Sequence, residues 1–360
     1  MADSTSRFDR RTVLKTVGAG GVTAIAGCSG SGDGSDSSDG SDSDGGSGSS
    51  GSSGGSGGSS VSMTVASAFE PGHILVETAN NFKEAIESES DGDISVEVSA
   101  GGSYGNETEI GELVSQSGVE AHTAGTAPYN QFAPEYAFFG SPFVVPSYEQ
   151  FLSILDSDEM QEGIDTLVEN GNQRPIGQQV YRGARHMTSN SSIQSPEDVS
   201  GLNLRLPELD PWVTIWEEVG ASPTPVSLSE LYSALEQGVA DASEGGAEQI
   251  SSFNLYEVQS HLSLTGHLIS TGNIYVNESF YQGLDQTHRD MIDEVSQEVT
   301  QEAAETSQSR EQDLIDELGE NGMTIVEDVD SEAFREAGAP GVEQLFEDKW
   351  AFDWDTVLNK

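Results

Sequence analysis

The chain has 360 residues and a formal net charge of −48, from 62 Asp+Glu against 14 Lys+Arg. Such an acidic balance argues against a nucleic-acid or anionic-membrane binder, since both partners need a basic face. One cysteine is present, Cys28, so neither a disulfide framework nor a cysteine metal cluster forms within one chain.

Residues 1–27 read as a twin-arginine signal peptide. Arg10 and Arg11 precede a weakly apolar run, Val13 to Ala26, too short to span a bilayer. Ala26 and Gly27 before Cys28 resemble the lipobox of bacterial and archaeal lipoproteins. A lipid on Cys28 would tether the protein at the outer cell surface. Residues 28–60 are then the lipidated cysteine and a disordered linker, because 29–60 hold only Ser, Gly and Asp. The linker's reach is roughly 30 Å. Residues 61–360 keep 55 acidic against 10 basic side chains, with only Lys83, Lys349 and Lys360 as lysines. Self-repulsion on that scale is tolerable where salt shortens the screening length, which reads as an extracellular protein of a haloarchaeon-like halophile.

The pattern beyond the linker alternates strand and helix. Strands are predicted at 61–68 and 94–100, and helices at 73–90 and at 107–118, the latter stopped by Gly118. An aromatic, proline-punctuated crossover covers 128–146, with helices following around 147–155 and 158–170. Segments 173–181 and 182–189 read as adjacent extended pieces. A short strand at 201–207 leads to a helix through LDPWVTIWEEVG, and a capped helix to 228–238. Residues 262–277 suggest two strands. Residues 284–318 carry Ile292, Val295, Val299 and Ala303 at helical spacing, a helix of about 50 Å. The fold class is α/β with two lobes.

Catalytic signatures are missing: no GxGxxG after a strand, no Walker loop, no HExxH, and no histidine pair at metal-ligand spacing. No cofactor or metal is expected, and no enzyme activity. Arginines stand out instead. Four of the folded part's seven fall between 174 and 205: Arg174, Arg182, Arg185 and Arg205. A guanidinium holds a carboxylate through two parallel charge-assisted hydrogen bonds. With so many acids available, pairing within the chain and holding a ligand are equally open for each.

The run from 185 to 244 resembles the solute-binding proteins of TRAP transporters (tripartite ATP-independent periplasmic transporters, DctP-type). The matching pieces are Arg185-His186-Met187-Thr188-Ser189, SPEDVSGLNLRLP, GASPTPVSLSELYSALEQG and VADASE, with further likeness in SPFVVPS (141–147) and LYEVQSHLSLTGH (255–267). The resemblance implies a two-lobed periplasmic-binding-protein-like fold with an interlobe cleft and a long helix crossing both lobes. It implies lobe I from 61–182 with 271–310, and lobe II from 183–270 with 311–360 and its C-terminal helices. It also implies capture of a small carboxylate, with Arg205 as the salt-bridging residue and Arg185 as a second contact, and delivery to small and large membrane subunits.

The chain departs from the family pattern after Asp241. Glu244 is followed by Gly245, where an asparagine contact is usual, which argues against sialic acid as the ligand. Glu244 and Gly245 are nonetheless candidate site residues, with Phe69, His73 and Tyr104 from the first lobe and Trp212 as an apolar wall. Each aromatic is equally open to ordinary core packing. Asn106, Asn190 and Asn277 begin glycosylation sequons. The competing function is the extracellular domain of a sensor, or of an enzyme, on the same lobes.

Overall fold

The structure, a computed structural model, describes residues 60–358. The expected signal peptide, lipidated Cys28 and linker lie outside the described residues.

The first half runs β1 (Val61–Ser67), α1 (Ile74–Glu89), β2 (Ile94–Ser99), α2 (Glu107–Ser115), β3 (Ala121–Ala124), α3 (Ala127–Phe132), α4 (Tyr148–Leu155), α5 (Asp158–Gly171) and β4 (Gln173–Ser189). The second continues with β5 (Asn203–Leu206), α6 (Asp210–Val219), β6 (Ser222–Pro225), α7 (Leu231–Glu236), β7 (Ala242–Gly246), α8 (Ala247–Ser252) and β8 (His261–Asn277). It ends with α9 (Glu278–Gly283), α10 (Gln286–Glu320), β9 (Thr324–Val326), α11 (Ser331–Asp348) and α12 (Trp354–Leu358).

The strands form one sheet in the order β2-β1-β3-β8-β4-β7-β5-β6, with β9 on β8. A parallel set, β2-β1-β3, stands at one end and another, β7-β5-β6, at the other. The long antiparallel pair β4/β8 joins them. Its register breaks between 176 and 180, between 181 and 184, and between 185 and 187. Each parallel set needs helical crossovers to return the chain, which gives two α/β halves on a shared pair of strands. β6 carries Pro223 and Pro225, which cannot donate to a ladder, and it occupies the sheet edge.

The cores follow the same division. Met63, Val65, Phe82 and Ile94 pack with Ile292 and Val299 of α10 in the first half. Leu231, Ile250 and Leu262 pack with Ile315 and Leu318 from the far end of the same helix. One 35-residue helix therefore seals both halves. The aromatic crossover contributes Phe138, Phe139 and Phe143 to a third cluster, with Trp216, Phe334 and Phe346.

Several expectations change. The segments 173–181 and 182–189 form one continuous strand, as do the two strands expected within 262–277. The β4/β8 pairing carries both chains through their irregular stretches. α2 stops at Ser115, and Ser117 takes the left-handed conformation (φ 59°), while Gly118 N–H donates to Leu113 O at 2.7 Å. The helix expected over 228–238 splits into a 3-10 turn (Leu228–Glu230) and α7. Ser227 does not cap it, because its hydroxyl pairs with Glu230 Oε2 at 2.8 Å.

Candidate ligand-binding cleft

In open α/β sheets the loops after the carboxyl ends of parallel strands form the natural crevice. Here both parallel sets supply such loops to one cavity of about 350 Å³. Phe69 follows β1, Thr126 follows β3, Pro207 follows β5 and Val226 follows β6, and all line it. The middle of β4 supplies Arg182 and Arg185, and β8 supplies Leu268 to Thr271.

Arg205 lies on β5 and is 2% exposed. Its Nε and Nη2 both donate to Val226 O, at 2.9 and 2.6 Å. No carboxylate lies within 4.0 Å of it among the described residues. Burial pulls its pKa down to about 10, with Arg185 acting the same way and Glu244 and Glu208 opposing. The single carbonyl holds the Nε–Nη2 edge of the fork, and the residue lines the cavity. A cation held this way gains from any anion that enters.

Arg185 is differently placed. Its Nε and Nη2 donate to Glu244 Oε2 at 2.5 Å and Oε1 at 2.8 Å. Glu244 is fully buried. Burial pushes its pKa up, yet the Arg185 charge and the hydrogen bonds from His267 and Arg185 outweigh this and bring it to about 2. His267 Nε2 lies 3.3 Å from Glu244 Oε2, and its Nδ1 lies 2.8 Å from Thr265 Oγ1. Burial lowers the His267 pKa, so the neutral ring donates to Glu244 and accepts from Thr265. Arg185 therefore reaches the cavity with its charge already answered. The ring of Trp212 sits 5.3 Å below its guanidinium, with Trp212 Nε1 donating to Gly140 O at 2.9 Å.

The sequence-predicted residues thus fall into groups. Arg205, Arg185, Phe69 and Trp212 line the cavity. Glu244 stands behind Arg185 as its counterion. His73 caps α1 and stacks on Phe69 at 4.0 Å, without lining the cavity. Gly245 pairs with His186 in the β4/β7 ladder. Tyr104 is 41% exposed and away from the cavity lining. Sequence reasoning missed Arg182 and Gln249 as cavity residues. Arg182 belonged to the arginine cluster, but nothing in the sequence marked Gln249.

The sequons also separate. Asn277 is 1% exposed, caps α9 and donates to Val114 O at 2.6 Å, so the folded chain closes it to a glycan. Asn190 is exposed, with its amide spent on Val258 O and Ser260 N, and it does not line the cavity. Asn106 is exposed at the cavity and caps α2. No group of three or more His, Cys, Asp or Glu capable of holding a metal occurs among the described residues.

Residues 65–349 match the DctP family, bacterial extracellular solute-binding protein family 7. A solute-binding protein of Roseobacter denitrificans is 30% identical over 272 residues, covering 73% of this chain and 80% of that protein. The sialic acid-binding periplasmic protein of Vibrio cholerae is 27% identical over 269 residues, covering 75% and 83%. A TRAP periplasmic solute-binding protein of R. denitrificans with bound L-galactonate is similar in structure, with TM-score 0.74 and 25% identity over 83% of this chain and 99% of that one. The chain belongs to the DctP family of extracellular solute-binding proteins. This is a transport family and not one of enzymes, and its role is to deliver captured solute to a membrane permease.

Proposed function

We propose that this protein captures a small organic acid outside the cytoplasm and hands it to the membrane subunits of a TRAP permease, with Arg205 clasping the ligand's carboxylate. The observation that carries the reading is a 2%-exposed guanidinium on a cavity wall whose protein partner is a backbone carbonyl and not an acid. In a chain of charge −48, such a cation keeps its place beside a cavity when an anion answers it. The L-galactonate carried by the Roseobacter protein has the matching chemistry.

The lobes in this reading are 61–182 with 271–310 and 183–270 with 311–360, closing around the ligand. The register breaks of β4/β8 support a bend at that division. The same reading has the chain exported folded by the twin-arginine route, tethered through a lipid on Cys28, and at home in high salt. Arg10-Arg11, the small residues before Cys28 and the acid excess support those three points.

Arg205→Ala tests the central claim. Calorimetric titration with sugar acids such as L-galactonate should lose its signal, a loss of several kcal/mol for an unpaired buried ligand charge. The far-UV spectrum should stay the same. Undiminished affinity in the variant would sink the assignment.

A further inference from the structure

Arg182 lines the same cavity as Arg205, but β4 holds it, and its hydrogen bonding does not close. Its Nε is buried without an acceptor. Its Nη1 reaches Thr271 O only at 3.4 Å. Its Nη2 lies 3.1 Å from His73 Nε2. The histidine cannot serve it fully, because Leu75 N–H also points at that ring, 3.1 Å from Nδ1. A neutral imidazole offers one acceptor nitrogen, and two donors converge on it. Burial, followed by the Arg182 charge, holds the His73 pKa well below its usual value, so the ring is neutral at pH 7. Glu107 and Glu248 act on Arg182 at longer range, but no carboxylate lies within 4.0 Å of it among the described residues.

The guanidinium is nevertheless fixed. It lies 4.6 Å from the Phe69 ring centroid, and Phe69 stacks on His73 with planes 11° apart. A second donor borders the same cavity. Gln249 on α8 lines it, and its Nε2 is buried without a partner. Gly245 makes room for this amide, since a Cβ there would meet Gln249 Nε2 at 3.2 Å and Cδ at 3.3 Å. Buried donors are normally answered. Arg185 cannot be the group that draws a second anion, because Glu244 already neutralises it.

We propose that Arg182, assisted by Gln249, is a second anion anchor, so that the preferred ligand carries another anionic group, carboxylate or phosphate, besides the carboxylate held by Arg205. This rests on the reading of Arg205 as the carboxylate clasp. The chain then favours a dianionic acid over the monoacid of the same skeleton, and Arg182 and Gln249 set that preference.

Matched pairs test it: D-gluconate against D-glucarate, and D-glycerate against 3-phosphoglycerate, titrated at one fixed salt concentration. In at least one pair the acid with two anionic groups should bind about tenfold tighter or better. The pair that shows the preference identifies the second group as carboxylate or phosphate. Arg182→Gln should pull the ratio toward unity, Gln249→Met should narrow it, and Arg182→Lys should retain part of it. Melting curves and far-UV spectra report whether each variant is folded.

Monoacids binding wild-type protein as tightly as their dianionic partners would overturn the proposal. So would a preference that survives Arg182→Gln in a folded protein. Arg205→Ala separates the two levels. If it abolishes monoacid binding while wild-type protein shows no dianion preference, the carboxylate reading stands and the second anchor falls. If wild-type protein binds no acid of either pair, both fall.

Discussion

A buried histidine links the chemistry of single residues to the protein's behaviour in acid. His186 is 7% exposed, and burial, with His267 adding to it, brings its pKa down to about 3. His122 is fully buried, and burial brings its pKa to about 4, partly opposed by its hydrogen bond with Gln173. His73 and His267 move in the same direction. In the unfolded chain each titrates near 6.5. Below that pH the unfolded state binds protons that the folded state refuses, so stability falls as pH falls. Each histidine contributes up to about 1.4 kcal/mol per pH unit through this window. Urea unfolding between pH 7 and 5, in molar salt to screen the carboxylates, should show this decline. His122→Asn should remove about one proton equivalent from the slope. A flat profile would mean that these rings are not held neutral. At this scale the sequence was only partly readable. Arg205 and Arg185 stood out by their motif. The role of Arg182 was hidden because any of 55 acids was an available partner, and only the fold decides which of them comes near. Gln249 had no signal, since only the fold brings α8 to the cavity and sets this amide beside Gly245.

The elements that matter most for the cleft are the two strands and the helix that tie its halves together. β4 and α10 approach closely at Gly177, where φ is +69°. A Cβ at that position would lie 2.5 Å from both Ser296 O and Thr300 Oγ1. The next residue closes the contact, with Gln178 N–H donating to Thr300 Oγ1 at 3.0 Å. Gly177→Ala therefore adds a clash with backbone to a left-handed conformation, and should cost about 2–4 kcal/mol in urea unfolding. A loss below about 0.5 kcal/mol, typical of an unconstrained surface site, would show that strand and helix can separate freely there. The same glycines explain what the sequence concealed. Gly177 and Gly183 at positive φ interrupt the alternation of β4, so one strand reads as two. β7 is Ala-Ser-Glu-Gly-Gly, a composition with little strand propensity, and pairing with β4 and β5 makes it a strand. α10 was legible because one apolar stripe runs through Ile292, Val295, Val299 and Ala303, all of them buried.

For the whole molecule, charge is the dominant unbalanced quantity. Arg174 pairs with Glu278, Arg185 with Glu244, Arg310 with Glu77 and Lys83 with Glu87. Ten cations cannot neutralise 55 acids in residues 61–360 whatever their pairing, so the folded state compresses like charges that the unfolded chain holds apart. At physiological ionic strength the screening length is about 8 Å, and at 1 M it is about 3 Å, below the usual spacing of surface carboxylates. Added salt should therefore stabilise the folded state, and the melting temperature should rise by at least about 5 °C between 0.1 and 2 M KCl, equivalent to about 2 kcal/mol. MgCl2 should reach the same gain at lower concentration, because a divalent cation screens more strongly. Sucrose separates screening from a general strengthening of apolar burial, since it favours compact states without carrying charge. If sucrose and KCl raise the melting temperature equally, or if KCl leaves it unchanged, the acid excess is not what limits stability. Salt acts on the cleft as well. High salt weakens exposed charge pairs far more than buried ones, so a guanidinium 2% exposed keeps its attraction for an acid where a surface arginine would not.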